Sequence, residues 1–171
     1  NEKIDMSRES DTYHVSQDGV YTITGTNSRH GITVSAGVRA TIFLQDVNLC
    51  DLGDMGVAFH IAENCHITVI LEGNNILHSG REMAAIQLRK QSVLNIKGNG
   101  KLIAYGGEGA AGIAADGPGS GSDHSMAHGF GMAHRYKDSQ LIVLLPAFHS
   151  IVGDMFQSQC RCQAVVDPAP G

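Results

Sequence analysis

The sequence predicts an all-β chain wound into a solenoid, a right-handed parallel β-helix with about 27 residues per coil and an atypical C-terminal segment. Three observations predict it. Apolar blocks return at a step of 27, as Ile32-Thr33-Val34, Phe59-His60-Ile61, Ile86-Gln87-Leu88 and Ile113-Ala114-Ala115. Within a block the residues alternate with the period of a strand, Ile32 and Val34 facing in and Thr33 facing out. Between residues 12 and 120 no segment carries helical periodicity with caps, and the partial exception, residues 81–90, falls on the repeated strand position.

The elements follow in chain order. Residues 1–10 are polar and read as a lead-in or cap, because a solenoid end with open strand edges invites aggregation. Residues 11–28 read as a first, incomplete coil. The next coil divides into strands at 31–35, 40–44 and 47–49, with turns where Gly, Asn and Asp cluster. Its inward columns continue as Ile42/Val69/Ile96 and Ala40/Ile67/Leu94. A third column is expected at Leu49/Ile76/Ile103, with Leu102 equally eligible in the last copy. The small residues Gly31, Ala58, Ala85 and Gly112 precede each block and mark a bend between faces. Asn48 and Asn75 are expected at equivalent turns, stacked and satisfying backbone groups at the bend. A three-strand unit cannot bury its own inner face, so successive units must stack. The alternative is a β-sandwich with coincidental spacing, which has no reason to keep register and residue size through four copies. A leucine-rich solenoid lacks its motif here, and a propeller blade needs about 40 residues.

After Gly112 the repeat dissolves. Three segments result: residues 1–119 as coils with their lead-in, 120–137 as a Gly/Ser/His-rich loop, and 138–171 as a capping or interface segment. The run from Leu141 to Leu145 does not alternate, so both its faces need cover, from this chain or from a second copy in a homo-oligomer. Asp and Glu number 17 against 12 Lys and Arg, for a formal net charge of -5. No basic field for nucleic acid exists. Apolar runs are too short for a membrane-spanning helix. The chain starts Asn1-Glu2-Lys3, with no signal peptide legible, as a mature or trimmed fragment does. Cys50, Cys65, Cys160 and Cys162 are too few for a staple-dependent fold, and Cys160-Arg161-Cys162 lacks the two-residue spacer of a redox pair.

The series Tyr21-Thr22-Ile23-Thr24-Gly25-Thr26, Ala40-Thr41-Ile42-Phe43-Leu44, Ile67-Thr68-Val69-Ile70-Leu71-Glu72-Gly73-Asn74-Asn75 and Gly106-Gly107-Glu108-Gly109-Ala110-Ala111-Gly112-Ile113 resembles bacterial cell-surface β-helix proteins described as carbohydrate-binding domains in Gram-positive anaerobes. The resemblance covers about residues 13–119 and departs after the Gly-rich loop. It implies a right-handed parallel β-helix, secretion or display at the bacterial surface, binding of plant polysaccharide and bound calcium. The absence of Trp leaves sugar contacts to polar groups and a few Tyr or Phe.

The outward row Thr33/His60/Gln87/Ala114 is the candidate polysaccharide surface, with Thr33, His60 and Gln87 as ligand-binding residues. Strands spaced about 4.8 Å apart present a repeating polar row to a repeating polymer, although such a row is also what a solvated face looks like. Calcium takes six to eight oxygens, and Asp51 with Asp54 in Asp51-Leu52-Gly53-Asp54 is the best local pair, short of any EF-hand pattern. His124, His128 and His134 carry no metal motif and read as loop residues. A lyase or hydrolase stays open as an alternative, because β-helices host both. However, Arg39, Arg81, Arg89 and Lys97 do not cluster with acids, and Glu72 with Asp46 is the only pair to consider for paired-carboxylate hydrolysis. No catalytic residue is assigned. A structural or adhesive self-associating module is the remaining alternative.

Overall fold

The computed structural model describes residues 1–50, 52–54, 56–106 and 112–114, and the strand backbone at 115, 133–134, 140–144 and 164–166. All regular structure in these residues is β, apart from one short 3-10 turn at Met6–Arg8. Strands β1 (Glu2–Asp5), β3 (Gly19–Asn27), β5 (Arg39–Leu49), β7 (His66–Glu72), β10 (Val93–Gly98), β14 (Gln140–Leu144) and β15 (Ala164–Val166) form one parallel sheet in that order. Strands β8 (Asn74–His78) and β11 (Lys101–Tyr105) extend it where the chain bends, β8 pairing with the end of β5. The second sheet, also parallel, runs β2 (Tyr13–Val15), β4 (Ile32–Val34), β6 (Phe59–Ile61), β9 (Ile86–Leu88), β12 (Ile113–Ala115) and β13 (Ala133–His134). The chain thus visits a short strand of the second sheet and then two stretches of the first, over and over, in a solenoid-like arrangement.

The 27-residue step is the pairing register. Ile32 pairs with Phe59, Phe59 with Ile86, and Ile86 with Ile113. Ala40 pairs with Ile67, Ile67 with Leu94, and Asn74 with Lys101. Each short strand of the second sheet from β4 to β9 buries its outer two residues and leaves its middle residue half-buried. The columns Ile32/Phe59/Ile86/Ile113 and Ile42/Val69/Ile96 lie in one buried core. At the small-residue column the backbones meet directly: the amides of Ile32, Phe59 and Ile86 donate to the carbonyls of Ala58, Ala85 and Gly112 at 2.8, 3.0 and 2.9 Å. A side chain on Gly31 would run into the carbonyl oxygens of Val57 and Ala58, which explains the small residue there.

The turns entering the long sheet also repeat. Gly37, Asn64 and Gln91 stand at successive 27-residue steps, and all three hold positive φ, at 80°, 59° and 58°. Only glycine adopts that conformation without steric cost, so Asn64 and Gln91 are held there by the strands on either side.

Two sequence expectations need correction. The third buried column is Leu49/Leu77/Ala104, not Leu49/Ile76/Ile103. One extra residue enters the bend before β8, so Asn48 pairs with Ile76 and Leu49 with Leu77. A one-residue shift moves every following side chain to the other face. Ile76 and Ile103 therefore face out, half-buried, while Leu102 is buried in the same row as Asn75. Asn48 and Asn75 accordingly do not stack. Asn75 is buried and works alone at the bend: its carbonyl oxygen accepts from the Val47 amide at 2.9 Å, and its amide donates to the carbonyls of Glu72 and Lys101 at 3.0 and 3.2 Å.

The polar lead-in forms the expected cap by a specific device. β1 pairs with β3, and the turn after it drives Met6 fully into the end of the core. Asn27 ties the two together, donating to the carbonyls of Met6 and Glu9 at 2.7 and 3.1 Å while its own oxygen accepts from the amides of Arg29 and His30. Asp5 caps the turn through Ser7, whose hydroxyl and then amide hold the Asp5 carboxyl below the usual carboxylate range. At the far end, β14 adds a strand beyond β10: Leu141 and Val143 pair with Leu94 and Ile96, and Ile142 and Leu144 with Asn95 and Lys97.

Candidate functional site

Strand alternation on the short sheet places one outward residue per coil, and parallel pairing aligns them. His14 pairs with Thr33, Thr33 with His60, and His60 with Gln87. Thr33, His60 and Gln87 therefore stand side by side as the sequence predicts, spanning about 10 Å across three strands. All three are half-buried, with one edge supported by the sheet and one facing solvent.

The row is internally ordered. His60 Nδ1 lies 3.1 Å from Gln87 Oε1. The contact ties the imidazole to the Gln87 side chain, with the donor and acceptor roles of the two ring nitrogens set by the tautomer. The Gln87 amide in turn points to the Met83 sulfur at 3.2 Å, a weak acceptor that leaves its second N–H for another partner. Together with the Thr33 hydroxyl, the row offers an alternating set of donors and acceptors, and none of the three side chains is a carboxylate or a guanidinium. That suits hydroxyl groups better than ions.

Ala114 does pair with Gln87, but it is buried and packs with Ala84 in a small separate cluster. The polar row thus ends at Gln87 on that side and continues through exposed His14 on the other. His134 pairs in register with Ala114, while His124 and His128 lie outside the described residues. The aromatic pair His78 and Tyr105, with ring centroids 5.4 Å apart, sits on the β8/β11 stretch rather than beside the row.

The other candidates separate. Asp51 lies outside the described residues, and Asp54 is exposed in the turn after Gly53. The Gly53 carbonyl already accepts from the Gly56 amide at 3.2 Å. The described part of this turn therefore offers one carboxylate toward the six to eight oxygens calcium takes, and no step is assigned to the ion. Among the described residues no group of three His, Cys, Asp or Glu side chains is placed to hold a metal. Asp46 and Glu72 both serve the bend: Asp46 accepts from the Asn74 amide at 2.8 Å and covers Gly73, and Glu72 accepts from the Gln45 amide. Cys65 is a buried thiol whose pKa burial raises, and it donates to the Ser35 carbonyl at 3.1 Å.

Sequence reasoning did not find one further feature. An open depression of about 380 Å³ lies on the outer face of the long sheet, lined by Gly19, Val20, Arg39, Ala40, Thr41, His66 and Thr68. The signal was available, because Arg39 and His66, and likewise Thr41 and Thr68, are separated by the same 27-residue step.

No protein family's sequence profile matches this chain, and no curated protein or solved structure matches it. No helix among the described residues is long and apolar enough to cross a membrane.

Proposed function

We propose that this chain is a right-handed parallel β-helix that binds an extended polysaccharide without cleaving it, secreted or displayed at a bacterial surface. The observation that carries the reading is the aligned outward row Thr33–His60–Gln87, with the His60 ring held against Gln87. A polymer of hydroxyl-bearing units meets one polar side chain per strand, and many weak hydrogen bonds add along its length. Affinity electrophoresis against plant and bacterial glycans tests this. Retardation on a neutral glycan is expected, and Thr33→Val with His60→Ala and Gln87→Ala should weaken it by about tenfold, or roughly 1.4 kcal/mol, with circular dichroism retained. A folded wild-type protein that no glycan retards would end the proposal.

A second reading, a self-associating module, is favoured by the register of β14. Ile142 pairs with Asn95 and Leu144 with Lys97, which sets two large aliphatic residues beside polar ones in register. Aspartate at both positions should convert an oligomer to a folded monomer in light scattering. A wild-type chain that is already monomeric at high concentration would exclude it.

A further inference from the structure

We propose that Arg39, Thr41, His66 and Thr68 form a binding site for a tetrahedral oxyanion, a phosphate or sulfate group. The site lies on the long sheet, away from the row Thr33–His60–Gln87, and does not rest on the polysaccharide reading.

The geometry starts with register. Arg39 of β5 pairs with His66 of β7, and Thr41 pairs with Thr68 two residues further along the same strands. Residues two apart on a strand share a face, and adjacent strands are about 4.8 Å apart. The four side chains thus occupy the corners of one small patch on the outer face, and all four line the same open depression. Arg39 and His66 are exposed, while Thr41 and Thr68 are half-buried on its floor.

The chemistry of the patch is unbalanced. An arginine and a histidine directly opposite each other gain nothing from one another, and when both are charged they repel. Among the described residues, no ion pair or side-chain hydrogen bond engages Arg39 or His66, and the hydroxyls of Thr41 and Thr68 likewise have no hydrogen-bond partner. The acid placed against this edge, Asp18, accepts from the backbone amide of Arg39 at 2.8 Å, and neither it nor Glu63, three residues before His66, is among the residues that line the depression. Val93 follows His66 in the same row and Asn95 follows Thr68, so no further acid closes the patch on that side. Guanidinium, imidazole and two hydroxyls line an open space whose lining includes no carboxylate. A guanidinium presents paired N–H groups to two oxygens of a phosphate or sulfate, and hydroxyls donate to the remaining ones. A neutral sugar has less to gain there, which separates this patch from the other sheet.

The test is an amide-resolved NMR titration of the intact chain at low ionic strength. The probes are inorganic phosphate, inorganic sulfate and, for a polymer-borne group, dextran sulfate, with chloride at matched ionic strength as the blank. Saturable shifts confined to residues 39–41 and 66–68 are expected, with a dissociation constant on the order of 1 mM for the free ions. Saturation by the free ions identifies a site for a small phosphate or sulfate. Saturation by dextran sulfate alone identifies a site for a polymer carrying the group. In either case Arg39→Gln with His66→Gln should weaken binding about tenfold or more, while any retardation on neutral glycans stays unchanged. Both residues are exposed, so the fold should survive, and His66→Gln alone provides the measurement if the double variant does not fold. Shifts that do not saturate, that match the chloride blank, or that persist with unchanged affinity in the variants would overturn the site.

Discussion

Phe59→Ala should destabilise the protein by about 3–5 kcal/mol, the range for removing a fully enclosed ring that its surroundings cannot refill. Phe59 has no exposed surface and sits in register between Ile32 and Ile86, beside Ala58 and Ala85, which are equally buried. Neither neighbouring coil can close in, because backbone hydrogen bonds from Ile32 to Ala58 and from Phe59 to Ala85 fix the spacing. The effect has a second signature. In a stacked architecture each coil touches only its neighbours, so a weakened central contact uncouples the coils before it from those after it. Urea unfolding followed by circular dichroism should show a lower midpoint and a broader transition, or two of them. A loss below about 1 kcal/mol would place Phe59 outside the core.

Asn75→Ala should cost about 3 kcal/mol, because it strands three backbone groups at once. Asn75 is 1% exposed, and its side chain satisfies the Val47 amide and the Glu72 and Lys101 carbonyls. These groups belong to three successive coils, so one side chain holds the bend across all of them. Leucine of similar size should be no better, since shape is not what is lost. Aspartate gives a distinct result. It keeps an acceptor for Val47 but turns a carboxylate oxygen toward two carbonyls, which disfavours its charged form. Its folded pKa therefore rises, and the penalty is present at neutral pH and relieved as pH falls through that raised value. Thermal unfolding of the three variants at neutral and mildly acidic pH separates them.

The part of the fold that was legible rested on strict periodicity. Ile32, Phe59, Ile86 and Ile113 stack as read, because no residue is gained or lost between their strands. The third column was misread because the bend at Asp46 and Gly73 adds single residues, and a local insertion is invisible to a count that assumes a constant step. Asp46 itself has φ 53° and no partner in β3, the mark of a bulge that residue type alone does not announce. The depth of Met6 was equally unreadable. Its neighbours are polar, and it is buried because the turn after β1 points it into the open end of the stack, a tertiary fact. The outward row was legible for the same reason as the core, but Ala114 was expected to face solvent and instead packs with Ala84. The patch at Arg39 and His66 went unread because the arginines were compared with acids rather than with their own equivalents one coil away.

The cap at Met6 gives the stack a direction. One terminus carries a plug and an extra strand, tied in by the Asn27 amide, which donates to the carbonyls of Met6 and Glu9. The coils beyond it share one register on the short sheet: that from β4 to β6 is also that from β6 to β9 and from β9 to β12. Such a stack behaves like a chain with a fixed initiator and repeating monomers. On the short sheet, duplicating or deleting one monomer keeps this register and changes the length by about 4.8 Å each time, whereas the joint between β5 and β8, with its extra residue, is particular to its coil. The extent of an outward polar row is therefore set by the number of consecutive coils that carry a polar residue at that position, which is why this one stops at Gln87, before the buried Ala114.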